Sequence, residues 1–293
     1  MSRGVLSVVH DTGSARNRLA IAAGLFTAMI ALVLAAPGAA HAAAPAAGAK
    51  ANHVTHPQLD WMGSTIAAHE GKSSAAGGDT VVPMATQTPG MDVSGYQGNV
   101  AWSTAWANGA KFAYVKATES TTYTNPYFTQ QYNGSYNVGM IRGSYHFATP
   151  DTSGGATQAD YFIAHGGGWS ADGKTLPGAL DIEYNPYGAE CYGLSQSSMV
   201  SWIHAFANEY HAKEGVYPVI YSTYDWWSTC TGNNSGFATT SPFWIARYSS
   251  SAGTLPAGYS YYTFWQHADS GTFPGDQDYF NGDTSRLKAL ALG

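Results

Sequence analysis

The sequence predicts an α/β fold in which crossover helices wrap a parallel sheet. Two observations carry this. From Met91 onward, short apolar segments alternate with longer amphipathic ones for most of the 293 residues, the pattern of repeated strand–helix–strand units. Polar residues also recur at the ends of the apolar segments, where a closed α/β barrel keeps its site. Helical patterns become scarce after about residue 230, so a closed barrel would be irregular in its last third.

The elements follow from local pattern. Strand candidates are 90–94, 112–118, 140–147, 176–183, 216–222, 243–248 and 260–266. Helix candidates lie around 101–108, 126–137, 155–165, 195–213 and 284–291. Ser195 is a suitable N-cap, and Met199, Ile203, Phe206 and Tyr210 behind it keep helical spacing. The tripeptide Asp181-Ile182-Glu183 closes the run Leu176 to Leu180. Strand residues two apart share a face, so both acids project side by side while Ile182 turns into packing. Only 11% of the chain is charged, and buried carboxylates are costly unless protonated or paired, so two acids at one strand end point to chemistry. A Glu beside a second acid and apolar walls holds its proton to higher pH, which is what a general acid for glycoside cleavage requires.

Before this region the chain reads differently. Arg16 and Arg18 precede the apolar stretch Leu19 to Ala36, which leads to Ala40-His41-Ala42. That is the layout of a signal peptide over residues 1–42, and it predicts a secreted protein of the extracellular space or cell wall. An uncleaved anchor is the competing reading. Residues 43–88 are rich in Ala, Gly, Ser and Thr and read as a pro-region or linker, with 73–78 the most linker-like part. A short helix is expected between His56 and Gly71, and the Trp61-Met62 pair favours docking on the barrel. Residues 89–293 are expected to form the catalytic barrel. A chain starting near Thr88 is expected to keep its hydrolytic chemistry.

Charge and cysteine content narrow the function. The formal net charge is −6, and residues 1–42 contribute Arg3, Arg16, Arg18 and Asp11, so the remainder is near −8. No basic surface for nucleic acid is visible. Cys191 and Cys230 are the only cysteines, and in an exported chain they predict one bridge. No Cys/His spacing suits a metal, and no cofactor is expected. The 20 Tyr and 9 Trp serve either sugar-ring stacking or an aromatic core.

At its polar strand ends the chain resembles glycoside hydrolase family 25, the N-acetylmuramidase lysozymes. The resemblance rests on Met91-Asp92-Val93-Ser94 with Tyr96-Gln97-Gly98, on Phe112 to Glu119, and on Arg142 to Phe147. It continues through Leu180-Asp181-Ile182-Glu183, Phe264-Trp265-Gln266 and Gly275 to Phe280. It implies an irregular TIM-like barrel with about eight strands and fewer than eight helices. It also implies a four-acid site on Asp92, Asp181, Glu183 and Asp276. The family's terminal strand usually reads Asp-x-Asn-x-Phe, whereas this chain has Asp276-Gln277-Asp278-Tyr279-Phe280. Asp278 therefore competes with Asp276, and the spacing to Phe280 favours Asp276.

Glu183 is the candidate acid, with Asp181 orienting a substrate N-acetyl group or raising the Glu183 pKa. Asp92 or Asp276 would instead activate water in an inverting scheme. His146 reads as a partner of substrate or of Asp181, or as a core histidine. Tyr145, Tyr221, Gln266 and Asp278 are substrate-binding candidates, and Trp244 and Trp265 are groove or core. Glu119 is a fifth rim acid or a partner of Lys116. The expected partner is the glycan strand of peptidoglycan, met by a monomer without stable membrane association. Two other functions compete. A chitinase-like hydrolase would carry an Asp at the position of Ala179, and a silent wall-binding protein would not need all four acids.

Overall fold

The computed structural model describes residues 53–71 and 86–293. The expected signal peptide, the stretch Ala43 to Lys50 and the linker-like run 73–78 lie outside the described residues. Eight strands close into a barrel: β1 (Thr88–Val93), β2 (Phe112–Glu119), β4 (Ile141–Phe147), β5 (Ala179–Asp181), β6 (Val219–Thr223), β7 (Phe243–Ala246), β8 (Phe264–Ala268) and β9 (Asp276–Phe280). β3 (Tyr123–Thr124) is a short hairpin partner of β2. The helices are α1 (Ile66–His69), α2 (Trp102–Ala107), α3 (Phe128–Asn137), α4 (Gly155–Phe162), α5 (Gln196–Glu214), α6 (Tyr224–Thr231) and α7 (Thr284–Leu290).

The predicted strands and helices reappear within a few residues, with three informative differences. β9 runs antiparallel to both neighbours, β1 and β8, where a wholly parallel sheet was expected. Asp276 and Asp278 lie on this antiparallel strand. β5 is short, yet the ladder continues past it, because Ile182 N–H donates to Tyr221 O at 3.1 Å. That bond keeps Glu183 on the Asp181 face. The predicted helix 155–165 ends at Phe162, where a wider turn over Ile163–Gly167 admits His165 and Gly166 with non-helical dihedrals.

Residue type explains the layering. β2 is buried along all eight residues, as expected of a strand covered on both faces. Its inward side chains, Phe112 and Tyr114, join Trp244, Phe264 and Phe280 in an aromatic fill inside the barrel. Neighbouring strands make room with glycine: a Cβ on Gly143 would lie 2.3 Å from the Tyr114 ring. The outer layer is a second apolar cluster, where Leu180, Ile182 and Ile220 meet Met199, Ile203, Phe206 and Tyr210 of α5. α5 begins as the sequence suggests, with Ser195 Oγ accepting from Ser198 N–H at 3.2 Å. It ends at Gly215, whose φ of 80° is left-handed.

Cys191 and Cys230 are bridged, with Cα atoms 5.4 Å apart and a sequence separation of 39. The bridge ties the loop after Glu183 to the end of α6. Replacing both cysteines by serine should lower unfolding stability by about 3–4 kcal/mol, the chain-entropy cost of opening such a loop. Urea denaturation of the double variant measures this, and an unchanged midpoint would contradict it.

Candidate active site

The chemistry-bearing residues sit at the end of the barrel where the parallel strands finish and the antiparallel β9 begins. Alternation along β1, β5, β8 and β9 aims Asp92, Asp181, Glu183, Gln266, Asp276 and Asp278 into one interior, and all are buried. The antiparallel β9 explains its two acids. Asp276 pairs with Asp92 at the mouth, while Asp278 pairs with Gly90, one step deeper. Both point inward, so the register question posed by the sequence resolves by depth rather than by face.

Gln266 organises the group. Its Nε2 donates to Asp92 Oδ2 and Asp276 Oδ2, each at 2.9 Å. Its Oε1 accepts from Tyr221 Oη at 2.6 Å and from Tyr248 Oη at 3.2 Å. A neutral amide thus separates two carboxyls that would otherwise repel. Asp278 accepts from Trp244 Nε1 at 3.2 Å.

The acids share one electrostatic problem, removal from water beside one another. Burial, opposed by hydrogen bonds from Thr65 and Gly63, pushes Glu183 up to about 7. Burial, opposed by the Gln266 hydrogen bond, raises Asp92 to about 7. Asp181 is raised well above the carboxylate range by burial and then by the negative charge of Glu183. Asp276 and Asp278 are raised by burial and by Asp92. The arrangement therefore stores exchangeable protons at neutral pH, as acid catalysis needs.

Other expected residues are placed less uniformly. Tyr145 points to the mouth, its Oη accepting from Met62 N–H at 3.2 Å. Tyr221 lies beneath Gln266. His146 is not in the cleft. It faces outward from β4, with Nδ1 2.8 Å from Thr118 Oγ1 and Nε2 2.9 Å from Gln158 Oε1. Its ring stacks on Phe206, and burial holds its pKa down to about 4. It is the core histidine of the two readings, because its neighbour Tyr145 takes the inward direction. Asp278 lies one step deeper than Asp276, opposite Gly90. Trp244 and Trp265 are core. Glu119 pairs with Lys116 at 2.5 Å, both fully buried.

Sequence reasoning missed Tyr248 and Tyr187. Tyr248 follows Trp244 and Ala246 in steps of two, so parity alone would have turned it inward. Tyr187, whose Oη donates to Glu119 Oε1 at 2.8 Å, sits on the loop after Glu183 with no periodic signal. The residues missed most completely come from the stretch before the barrel. Gly63 N–H donates to Glu183 Oε1 at 2.6 Å, and Thr65 Oγ1 donates to Glu183 Oε2.

Acids gathered at one end of an irregular α/β barrel suit a glycoside hydrolase, and comparison with known proteins agrees. The sequence profile "Glycosyl hydrolases family 25" matches residues 91–276, and the chain belongs to that family. An N,O-diacetylmuramidase of Arthroderma benhamiae is 50% identical over 229 residues, covering 78% of this chain and 97% of the relative. Lysozyme M1 of Streptomyces globisporus is 44% identical over 282 residues, covering 94% of this chain and 95% of its own. The solved muramidase of Acremonium alcalophilum superposes with a TM-score of 0.69 at 58% identity, covering 70% of this chain and 99% of that one.

The raised carboxyls fix a sign for pH dependence. Asp92, Glu183 and Glu119 move from ordinary values of 3.8, 4.5 and 4.5 to about 7, so the folded protein holds protons that the unfolded chain releases. Their stabilisation is complete below the ordinary values and is lost as pH rises through 7. His146 acts oppositely. Its contribution is complete above 6.5 and is lost as pH falls through about 4. Several carboxyls outweigh one imidazole, so the urea midpoint should be higher at pH 5 than at pH 8. An equal or higher midpoint at pH 8 would contradict the buried-acid description.

Proposed function

We propose that the protein is a secreted muramidase that hydrolyses the β-1,4 bond between N-acetylmuramic acid and N-acetylglucosamine in peptidoglycan, with Glu183 as general acid. The observation that carries this reading is the convergence of Asp92, Asp181, Glu183 and Asp276 on one mouth of the barrel, in a chain whose relatives are named lysozymes and muramidases. Glu183 is the acid because it follows β5 at the rim, on the same face as Asp181; burial raises its proton affinity, as it does for the other acids. It protonates the leaving glycosidic oxygen as the C–O bond breaks. Positive charge then develops at the anomeric carbon, where the substrate's own acetamido oxygen and the oxygens of the neighbouring carboxyl groups stabilise it.

Asp181 is on the Glu183 face and so is not positioned across the sugar from it. Its role is to orient the substrate N-acetyl group, whose oxygen attacks the anomeric carbon in a substrate-assisted scheme. Asp92 and Asp276, held by one amide, flank the same centre from β1 and β9. The name N,O-diacetylmuramidase borne by a relative 50% identical to this chain supports acceptance of O-acetylated muramic acid. The Cys191–Cys230 bridge suits an oxidising, extracellular setting. The glycan is the expected partner of a monomer that needs neither nucleic acid nor membrane. Ala179 stands where a chitinase-like site would place a further acid, so chitin is not the expected substrate.

Glu183→Gln should fold normally and lower kcat by about 10³-fold, within the range of general acid catalysis. Reducing-end release from purified peptidoglycan, with chitin as control, measures this. Wild-type rates in the variant would remove Glu183 from the acid role.

A further inference from the structure

Residues 53–71 are seated in the mouth, on the groups the mechanism needs. Met62 is fully buried and joins the cluster of residues inside the barrel. Its N–H donates to Tyr145 Oη at 3.2 Å, and its carbonyl accepts from Gln266 Nε2 at 2.9 Å. Gly63 N–H donates to Glu183 at 2.6 Å, and its carbonyl accepts from Tyr248 Oη at 3.2 Å. Thr65 holds the other Glu183 oxygen. The Pro57 and Asp60 carbonyls accept from Lys116 Nζ at 2.9 and 2.5 Å. His69 stacks on Tyr184 with ring centroids 4.1 Å apart, and Tyr184 Oη donates to Glu70 Oε1 at 2.7 Å.

We propose that residues 53–71 are a built-in inhibitor whose Met62–Gly63 peptide unit occupies the place of a substrate acetamido group. The proposal rests on the muramidase reading only for the substrate's name. An acetamido group offers one N–H donor and one carbonyl acceptor, and the peptide unit presents the same pair, to Glu183 and Gln266. Gly63 is required for this seating. Its φ is +90°, and a Cβ there would lie 2.3 Å from Tyr248 Oη, 2.6 Å from Gln266 Oε1 and 2.8 Å from Tyr221 Oη. No side chain fits, so the main chain itself reaches the acids. With both Glu183 oxygens engaged, a glycosidic oxygen has no access to its proton. The segment is not a structural member of the barrel, whose strands close without it. The solved Acremonium alcalophilum muramidase covers 70% of this chain with 99% of its own length, so a related barrel folds without a counterpart of the rest. Activation requires the segment to leave the mouth.

Three full-length chains test this: native, Gly63→Leu and Met62→Glu, with Leu59→Ala as a control because Leu59 is half exposed. Two readouts are taken. The first is reducing-end release from soluble peptidoglycan fragments. The second is carbodiimide-driven coupling of an amine to Glu183, mapped by mass spectrometry. The native and Leu59→Ala chains should react slowly and protect Glu183. The two expelling variants should hydrolyse at least about 20-fold faster, a loss of inhibition of about 1.8 kcal/mol, and should label at Glu183. Equal hydrolysis by native and expelling chains, or equal labelling of Glu183 in them, would overturn the proposal. If no chain cleaves peptidoglycan, the muramidase reading fails, and the labelling contrast alone decides for or against occlusion.

Discussion

The structure depends on one constraint: five carboxyl groups must share one buried end of the barrel. Asp92, Asp181, Glu183, Asp276 and Asp278 are each buried, and ionising all of them together would be prohibitive. Protons retained to neutral pH relieve part of the repulsion. Gln266 relieves more by donating to Asp92 and Asp276 at once. Its own oxygen is fixed by Tyr221 and Tyr248, so the amide cannot rotate away without losing both. The aromatic fill below supplies a rigid, low-dielectric floor. The feature that makes the site expensive to fold is the one that keeps a proton available for transfer.

Much of this was legible in the sequence because barrels convert chain order into rim position. Asp-x-Glu after an apolar run placed Asp181 and Glu183 by parity alone, and strand ends placed Asp92 and Gln266. The closing strand was less legible. Its residues alternate correctly, yet direction is not encoded in alternation. Only the antiparallel pairing of β9 with β1 and β8 puts Asp276 above Asp278. His146 failed for a related reason. A polar residue near a strand end belongs to the rim only if its parity is inward, and Tyr145 already held that direction. Tyr187 and the Thr65–Glu183 contact lie in irregular chain, where neither period nor cap gives a signal.

The segment around Met62 shows how composition can mislead. Residues 43–88 look like spacer because Ala, Gly and Ser dominate, but the contacts with the acids and Gln266 come from three positions, Met62, Gly63 and Thr65. Trp61 and Met62 hinted at docking. What composition hides is that main-chain N–H and carbonyl groups, present in every residue, make most of the contacts. The burial of Glu183 is thus partly the work of the segment, and its proton affinity belongs to the closed state.

The central claim is that this acid-lined mouth cleaves on the muramic acid side of the glycan. Borohydride reduction of a peptidoglycan digest, followed by mass spectrometry of the reduced ends, tests it most directly. The account predicts reduced N-acetylmuramic acid at the new ends. Reduced N-acetylglucosamine at those ends, from an active protein, would contradict it.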